Sequence, residues 1–331
     1  RYFPQVTPDL PFVSYWINGV LAALFLFASV AFHELAHSYV AQKYRLTIES
    51  ITLFIFGGVA QLKGDPPHPR AEFWIAIAGP FSSFLLSAFF FILAMITAGG
   101  AKPLFAYLAQ INFIIGVFNL IPGFPMDGGR VLRSALWGKK KDYFYATQKA
   151  SSIGKGIALF FIFFGLFSIF TGGPGGLWLI LVGWFLYSAA QASYQQSTLQ
   201  EILSGIKVKG IMVGEMQTID PSIYLDKAVD EYFLRYGYGG FPVIDDGKFL
   251  GILTLKEVKD VPRENWGKVK VSEAYIPHEK RWEISPDADA IKALELMIKE
   301  DKGRIAVTEK DRIIGLITRN GIAQYVQIKG K

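Results

Sequence analysis

The chain has 331 residues, a net charge of +6 and no cysteine. It is 51% hydrophobic and only 19% charged, with a mean hydropathy of +0.30, whereas about a quarter of the residues in a soluble domain are charged. This composition argues against an entirely soluble protein, and the lack of cysteine excludes disulfides and thiolate metal sites. The positive charge is read as basic loops facing the cytoplasm, so no nucleic-acid partner is expected.

Charge is distributed very unevenly along the chain. No Asp, Glu, Lys or Arg lies between Lys102 and Asp127 or between Lys155 and Glu201, but charge is frequent beyond Glu201. We therefore predict a membrane domain over residues 1–200 and a soluble domain over residues 201–331.

Several apolar stretches approach the length of about 20 residues that a membrane-spanning helix needs. Four qualify directly, namely residues 11–44, 73–98, 104–122 and 177–194. A fifth stretch, residues 157–170, is short but spans a bilayer if its helix begins near Thr147. The sequence thus predicts a polytopic α-helical membrane protein with five visible spans.

Basic residues indicate how these spans are oriented. One side holds Lys43, Arg45, Lys63, Arg70, Arg130, Arg133, Lys139, Lys140, Lys141, Lys149 and Lys155, and the other only Arg1 and Lys102. Because cytoplasmic loops are rich in Lys and Arg, the first side is predicted to be cytoplasmic, together with the soluble domain. The first residue then lies outside, and we expect a further span to precede it in the cell membrane protein.

The first span contains His33, Glu34 and His37 in the pattern HExxH. Histidines four residues apart share one face of a helix, so both imidazoles can bind one zinc ion with the glutamate beside them as general base. An exposed polar helix face is the alternative reading. It is disfavoured because the motif follows an uncharged run, and an ionisable group inside a span costs about 2.5–3.5 kcal/mol and is usually functional.

Residues 51–62 are rich in β-branched and aromatic side chains around Gly57 and Gly58. This pattern predicts a short membrane-associated β-hairpin with its turn at the glycine pair. The hairpin would either bind an unwound substrate as an added strand or act as a plug without a substrate role.

A zinc hydrolase needs a third protein ligand and an open position for water. His68 is expected in a surface loop and His278 in the soluble domain. Asp127 lies in the segment from Asn119 to Arg130, which ends a span on the same side as His37. A helix cap or turn carboxylate is the alternative role for Asp127.

Together, HExxH and the later segment with Asn119, Pro122, Asp127 and Gly128 resemble the site-2 protease family of intramembrane metalloproteases, over roughly residues 10–196. The resemblance implies one zinc ion held by His33, His37 and Asp127. It also implies that a zinc-activated water is deprotonated by Glu34 and that Asn119 helps to position the substrate.

The soluble domain contains two similar units, about residues 206–262 and 270–328, each predicted as helix, strand, strand, helix. Residues 241–244 align with 305–308, and residues 251–254 with 315–318. The units resemble a tandem pair of α/β CBS domains, which implies binding of ATP or another adenine nucleotide and regulation of the attached enzyme. Thr254, Glu257 and Thr318 are the candidate nucleotide-binding residues. Thr254 and Glu257 match the nucleotide pattern approximately, whereas Thr318 departs from it because Gly321 follows instead of an acid. A purely structural module that forms homodimers is the alternative.

Three functions follow from this sequence. The first is regulated intramembrane proteolysis of a membrane-anchored, transmembrane protein substrate. The second is a CBS-regulated transporter of zinc or another ion, since intramembrane His and Asp also suit ion pathways. The third is an inactive membrane scaffold.

Overall fold

The computed structural model describes residues 2–6, 8, 11–54, 57–214, 216–279, 282–310 and 312–329. It divides the chain into two compact units, Arg1–Thr198 and Leu199–Lys331.

The first unit is built from helices and one hairpin. Its elements are α1 (Tyr2–Val6), α2 (Phe12–Lys43), β1 (Thr47–Phe54), β2 (Gly57–Lys63), α3 (Pro69–Ile96), α4 (Lys102–Asn119), α5 (Asp127–Lys140), α6 (Tyr143–Phe170) and α7 (Gly176–Leu203). In the described part of the chain, five helices are long and apolar enough to cross a membrane: α2, α3, α4 with the short turn before it, α6 and α7. The five predicted spans are thereby confirmed.

Two of the spans are longer than their apolar cores. Helix α6 begins at Tyr143, four residues before the expected start near Thr147, because the Asp142 side chain caps it by accepting from the Tyr145 backbone N–H. Helix α7 continues to Leu203, beyond its last apolar stretch. Hydropathy alone does not predict these polar helix ends, because it detects only the apolar part of each helix.

The hairpin forms, but its predicted turn is misplaced. Strands β1 and β2 pair antiparallel with Leu53 opposite Gly58 and Phe54 opposite Gly57, so both glycines belong to a strand. The connection consists of residues 55 and 56, which lie outside the described residues. This register leaves two residues for the loop, the commonest hairpin length.

Helix α3 is the centre of the first unit and packs against α2, α4 and α5. Its buried face repeats every three to four residues and includes the small residues Ala71, Ala76, Gly79, Ser82 and Ser83. Small residues allow helix backbones to approach closely where lipid provides no hydrophobic driving force. This face sets the distances between the helices that carry polar groups.

The second unit contains two equivalent halves. In the first, a helical segment of α8 (Leu225–Ala228), a π-turn (Val229–Phe233) and α9 (Leu234–Tyr236) precedes β3 (Gly240–Asp245), β4 (Lys248–Thr254) and α10 (Leu255–Asp260). In the second, α11 (Ala290–Lys299) precedes β7 (Arg304–Glu309), β8 (Arg312–Thr318) and α12 (Arg319–Lys329). Short strands β5 (Ile276–Pro277) and β6 (Glu283–Ile284) complete two three-stranded sheets.

The hairpins of the two halves have the same register, although the short third strand pairs with β4 in the first half and with β7 in the second. Gly240 pairs with Thr254 and Arg304 pairs with Thr318, with a β-irregularity three residues along each hairpin. Each hairpin buries its own apolar core, around Phe241 and Leu253 in the first half and around Ile305 and Ile317 in the second. The predicted helix–strand–strand–helix repeat is confirmed.

Candidate metal centre

Helix α2 presents the two motif histidines to the inside of the first unit. His33 and His37 are 4% and 5% exposed, and their ring centroids lie 4.9 Å apart. One turn of helix separates them, so both rings leave α2 on the same face.

Helix α3 fixes the outer nitrogen of each ring. The Nδ1 of His37 donates to the Ile75 carbonyl at 2.6 Å, and the Nδ1 of His33 forms a hydrogen bond with the Ser83 hydroxyl at 2.9 Å. In a neutral imidazole with a donating Nδ1, the Nε2 carries a lone pair. The Nε2 of His37 is therefore available as a ligand, and this type of outer contact is characteristic of histidines that bind metals.

Asp127 completes a triangle of donor atoms. It is the first residue of α5, and Met126 occupies the cap position, so Asp127 is not the helix cap. Its Oδ2 lies 3.1 Å from the Nε2 of His33 and 3.1 Å from the Nε2 of His37, and the two Nε2 atoms are 3.2 Å apart. The three atoms form the one cluster with metal-binding geometry among the described residues.

These distances fit a zinc ion. Ligand atoms at 2.0–2.1 Å from a tetrahedral ion lie about 3.3 Å from one another, close to the observed edges of the triangle. When both Nε2 atoms are unprotonated, the three facing lone pairs repel each other in this buried site unless a cation lies between them. Nitrogen and carboxylate oxygen donors are also the ligands that zinc accepts.

Space for an ion exists because position 79 has no side chain. A Cβ atom built on Gly79 would overlap the Nε2 atoms of both His33 and His37. Gly79 thus forms one wall of the site and leaves room that any larger residue would fill.

Glu34 and Asn119 take different positions. Glu34 is 8% exposed, follows His33 directly, and its carboxylate makes no hydrogen bond to any residue in the described ranges. Asn119 is the last residue of α4 and is partly buried, and its amide likewise has no hydrogen-bond partner among the described residues. Both side chains are therefore available for substrate or water.

The other two histidines serve local structure. His68 is the N-cap of α3 and accepts from the backbone N–H of Ala71 at 3.0 Å. The Nε2 of His278 lies 2.6 Å from a Glu283 carboxylate oxygen in the second unit. Neither belongs to the cluster of His33, His37 and Asp127.

The second unit contains a cavity of about 260 Å³ between its two halves. Thr254 and Glu257 line it together with Trp282, Lys302 and Arg304. The Thr254 hydroxyl contacts the Glu257 carboxylate, and Lys302 lies 4.2 Å from the centre of the Trp282 ring. Burial lowers the pKa of Arg304, which the negative charge of Glu257 opposes.

Thr318 does not line this cavity. Its hydroxyl accepts from the backbone N–H of Gly321 at 3.0 Å and so caps the start of α12. The two threonines that sequence reasoning grouped together are therefore placed differently.

Sequence reasoning missed several contributors to these sites. The Ile75 carbonyl has no signature in the sequence, and Ser83 is one of many serines. Nothing in the sequence showed that Gly79 faces the histidines. Trp282 and Arg304 lie far in sequence from Thr254 and meet it only in the folded unit.

Comparison with known proteins agrees with both units. The profile of peptidase family M50 matches residues 21–102 and 94–164, and that of the CBS domain matches residues 208–264 and 277–328. The Mycobacterium tuberculosis protein Rip3, which bears a zinc metalloprotease name, is 34% identical over 98% of this chain and 85% of its own length.

Two archaeal proteins are also similar. Zinc metalloprotease MJ0392 of Methanocaldococcus jannaschii is 35% identical over 92% of this chain and 84% of its own length. A solved site-2 protease from the same organism is 38% identical and covers 58% of this chain and 82% of that chain, with a TM-score of 0.45.

We expect Gly79→Ala to abolish zinc binding, because the added methyl group would occupy the space between the two imidazoles. The measurement is zinc content of the purified full chain after dialysis. Gly19→Ala is the matched control, since a Cβ at Gly19 in α2 meets nothing within 4 Å. Normal zinc content in Gly79→Ala would show that the ion does not lie beside this glycine.

Proposed function

The chain belongs to peptidase family M50 and is a zinc metalloprotease of the site-2 type, and we propose that it cuts membrane-anchored proteins at a single zinc ion held by His33, His37 and Asp127. The observation that carries this proposal is the triangle of donor atoms with edges of 3.1–3.2 Å. When bound, zinc supplies Lewis-acid activation of water and of the scissile carbonyl. The transporter and scaffold hypotheses have no comparable support.

Glu34 is proposed as the general base. It follows the ligand His33 on α2, it is almost completely buried, and its carboxylate is not engaged by any described hydrogen-bond donor. It takes a proton from the attacking water and passes it to the nitrogen of the departing amine, the usual pair of tasks for such a group.

Substrate positioning is proposed to involve Asn119 and the hairpin. A scissile bond inside a helix is accessible only after the substrate unwinds, because its backbone groups are otherwise hydrogen-bonded within the helix. Among the described residues, β1 and β2 pair only with each other, so an edge is available for an extended segment. The Asn119 amide provides both a donor and an acceptor for such a backbone.

We expect Glu34→Gln to retain zinc and to lower cleavage of a model transmembrane substrate by about 10²- to 10⁴-fold, the usual contribution of a general base. The measurements are zinc content and single-turnover cleavage by the purified protein. Asp127→Ala is the comparison variant and should lose both zinc and activity. Full cleavage by Glu34→Gln would exclude Glu34 as the base.

The second unit is proposed to lie in the cytoplasm. The proposal rests on the basic residues around α5, where Lys139, Lys140 and Lys141 follow one another, against the isolated Lys102 at the other end of the spans. Cytoplasmic loops carry such an excess of positive charge.

The chain has no cysteine of its own, so a single cysteine introduced by substitution reports on which side of the membrane its position lies. In intact cells, we expect a membrane-impermeant maleimide to label Lys102→Cys. Lys140→Cys and Lys227→Cys should react only after the membrane is permeabilised. Labelling of Lys140→Cys in intact cells would reverse the proposed orientation.

The CBS pair is proposed to regulate the protease by binding ATP or another adenine nucleotide in the cavity of the second unit. Thr254 and Glu257 provide polar groups for a ribose, Trp282 provides an aromatic face, and Lys302 and Arg304 provide positive charge for phosphate. A pocket with apolar walls and a few convergent polar groups is typical of small-molecule sites.

We expect Thr254→Val to weaken binding of ATP or AMP to the full chain by about 2- to 10-fold, since one hydrogen bond is lost. Thr318→Val is the matched control, because it removes an equivalent helix-capping hydroxyl that does not line the cavity. Calorimetry measures both variants. Equal losses in the two, or no binding by the wild type, would contradict the site.

The same module is proposed to form a homodimer. Leu234 and Ile298 lie 64 residues apart at equivalent positions of the two halves and are 73% and 66% exposed, which suits a paired apolar surface on a second copy. Light scattering on the calorimetry samples reports the mass. A monomer at all concentrations would contradict this part of the proposal.

A further inference from the structure

A buried ion pair joins α3 and α5 outside the metal cluster. Glu72 has no exposed surface, and the Arg133 side chain is 11% exposed. The Nε of Arg133 donates to the Glu72 Oε1 at 2.6 Å, and its Nη2 contacts the same oxygen. Charges buried in this way are costly unless they are paired.

The Arg133 guanidinium also holds the segments on either side of α5. It lies 4.9 Å from the ring centre of Phe124, in the loop that leads to Asp127, and 4.7 Å from that of Tyr143, at the start of α6. Its Nη1 reaches the Thr147 hydroxyl at 3.4 Å. One side chain therefore connects α3, the α4–α5 loop, α5 and α6, as a planar guanidinium is suited to do.

The ion pair joins the two helices that act on the metal cluster: α3 orients the imidazoles, and α5 supplies Asp127. One turn after Glu72, the Ile75 carbonyl orients His37, and further along α3 the Ser83 hydroxyl orients His33. Asp127 is the first residue of α5, six positions before Arg133. A shift of α5 along α3 would move the carboxylate away from imidazoles that α3 itself holds in place.

The Glu72–Arg133 pair leaves one buried polar atom without a partner among the described residues. The Glu72 Oε2 is buried and has no hydrogen-bond partner in the described part of the chain. A well-packed apolar pair of similar volume is often as stable as a buried ion pair or more so, whereas a directional contact specifies one register between two helices. This favours a role in alignment over a role in stability alone.

We propose that Glu72 and Arg133 are positioning residues that hold Asp127 in register with His33 and His37, an inference that rests on the proposed zinc ligation. Neither residue touches the donor triangle. The pair acts by fixing α5 against α3, so that the carboxylate oxygen stays about 3 Å from both Nε2 atoms.

The test uses Arg133→Met, Glu72→Gln and the double variant in the purified full chain. Zinc affinity is measured by competition with a chelator, and stability by thermal unfolding. We expect each single variant to lose about 10-fold in zinc affinity, the lower end of the loss seen when a direct contact of a metal ligand is removed, because the pair acts one step further from the ligands. The double variant should regain thermal stability, because no unpaired buried charge remains, while its zinc affinity stays low.

Lys155→Met is the matched control. It breaks the contact of Lys155 with Gln191 at 3.2 Å and with the Tyr194 ring at 4.3 Å, which lies between α6 and α7 and does not involve α3 or α5. Its zinc affinity should equal that of the wild type, even where its unfolding temperature falls.

The outcomes separate the two proposals. A wild-type chain that binds no zinc overturns the metal ligation itself. If the wild type binds zinc and the single variants match its affinity, only the positioning role of Glu72 and Arg133 is overturned. The same holds if the double variant recovers zinc affinity along with stability. If Arg133→Met does not fold, Glu72→Gln decides the matter, since it keeps the volume and an acceptor oxygen of the native side chain.

Discussion

The first unit depends on the convergence of three lone-pair-bearing atoms from two helices. The Nε2 atoms of His33 and His37 come from one turn of α2, and the Oδ2 of Asp127 comes from the start of α5, 90 residues further on than His37. When both Nε2 atoms are unprotonated, these lone pairs repel each other in the absence of a cation, so the packing around them has to hold the site together in advance. The packing of the surrounding helices follows from the need to hold these three atoms together.

Helix α3 meets this requirement because the side chains that it turns toward the site are small. Gly79 admits the two imidazoles, and the Ser83 hydroxyl and Ile75 carbonyl bind the far side of each ring. In lipid, helices associate through close packing and hydrogen bonds instead of hydrophobic burial. The same small residues that allow α3 to approach α2 therefore also leave space for an ion between the imidazoles.

Much of this architecture follows from local sequence rules. Hydropathy identifies all five spans, and i, i+4 spacing places His33 and His37 on one face. Other features were beyond such rules. The hairpin turn lies before Gly57 because strand register, not glycine content, sets the loop. The Glu72–Arg133 pair could not be found from the sequence either, because a partner 61 residues away is defined only by helix packing.

The second unit shows how far a shared fold constrains function. Its halves have the same strand register and equivalent buried cores, so the fold treats Thr254 and Thr318 alike. The difference arises three residues later. Glu257 brings a carboxylate to the Thr254 hydroxyl at the wall of the cavity, whereas Gly321 leaves Thr318 with a backbone N–H to cap. A repeated fold thus supplies equivalent positions without equivalent chemistry, and among the described residues only the Thr254 position combines a hydroxyl with a carboxylate at the wall of the cavity.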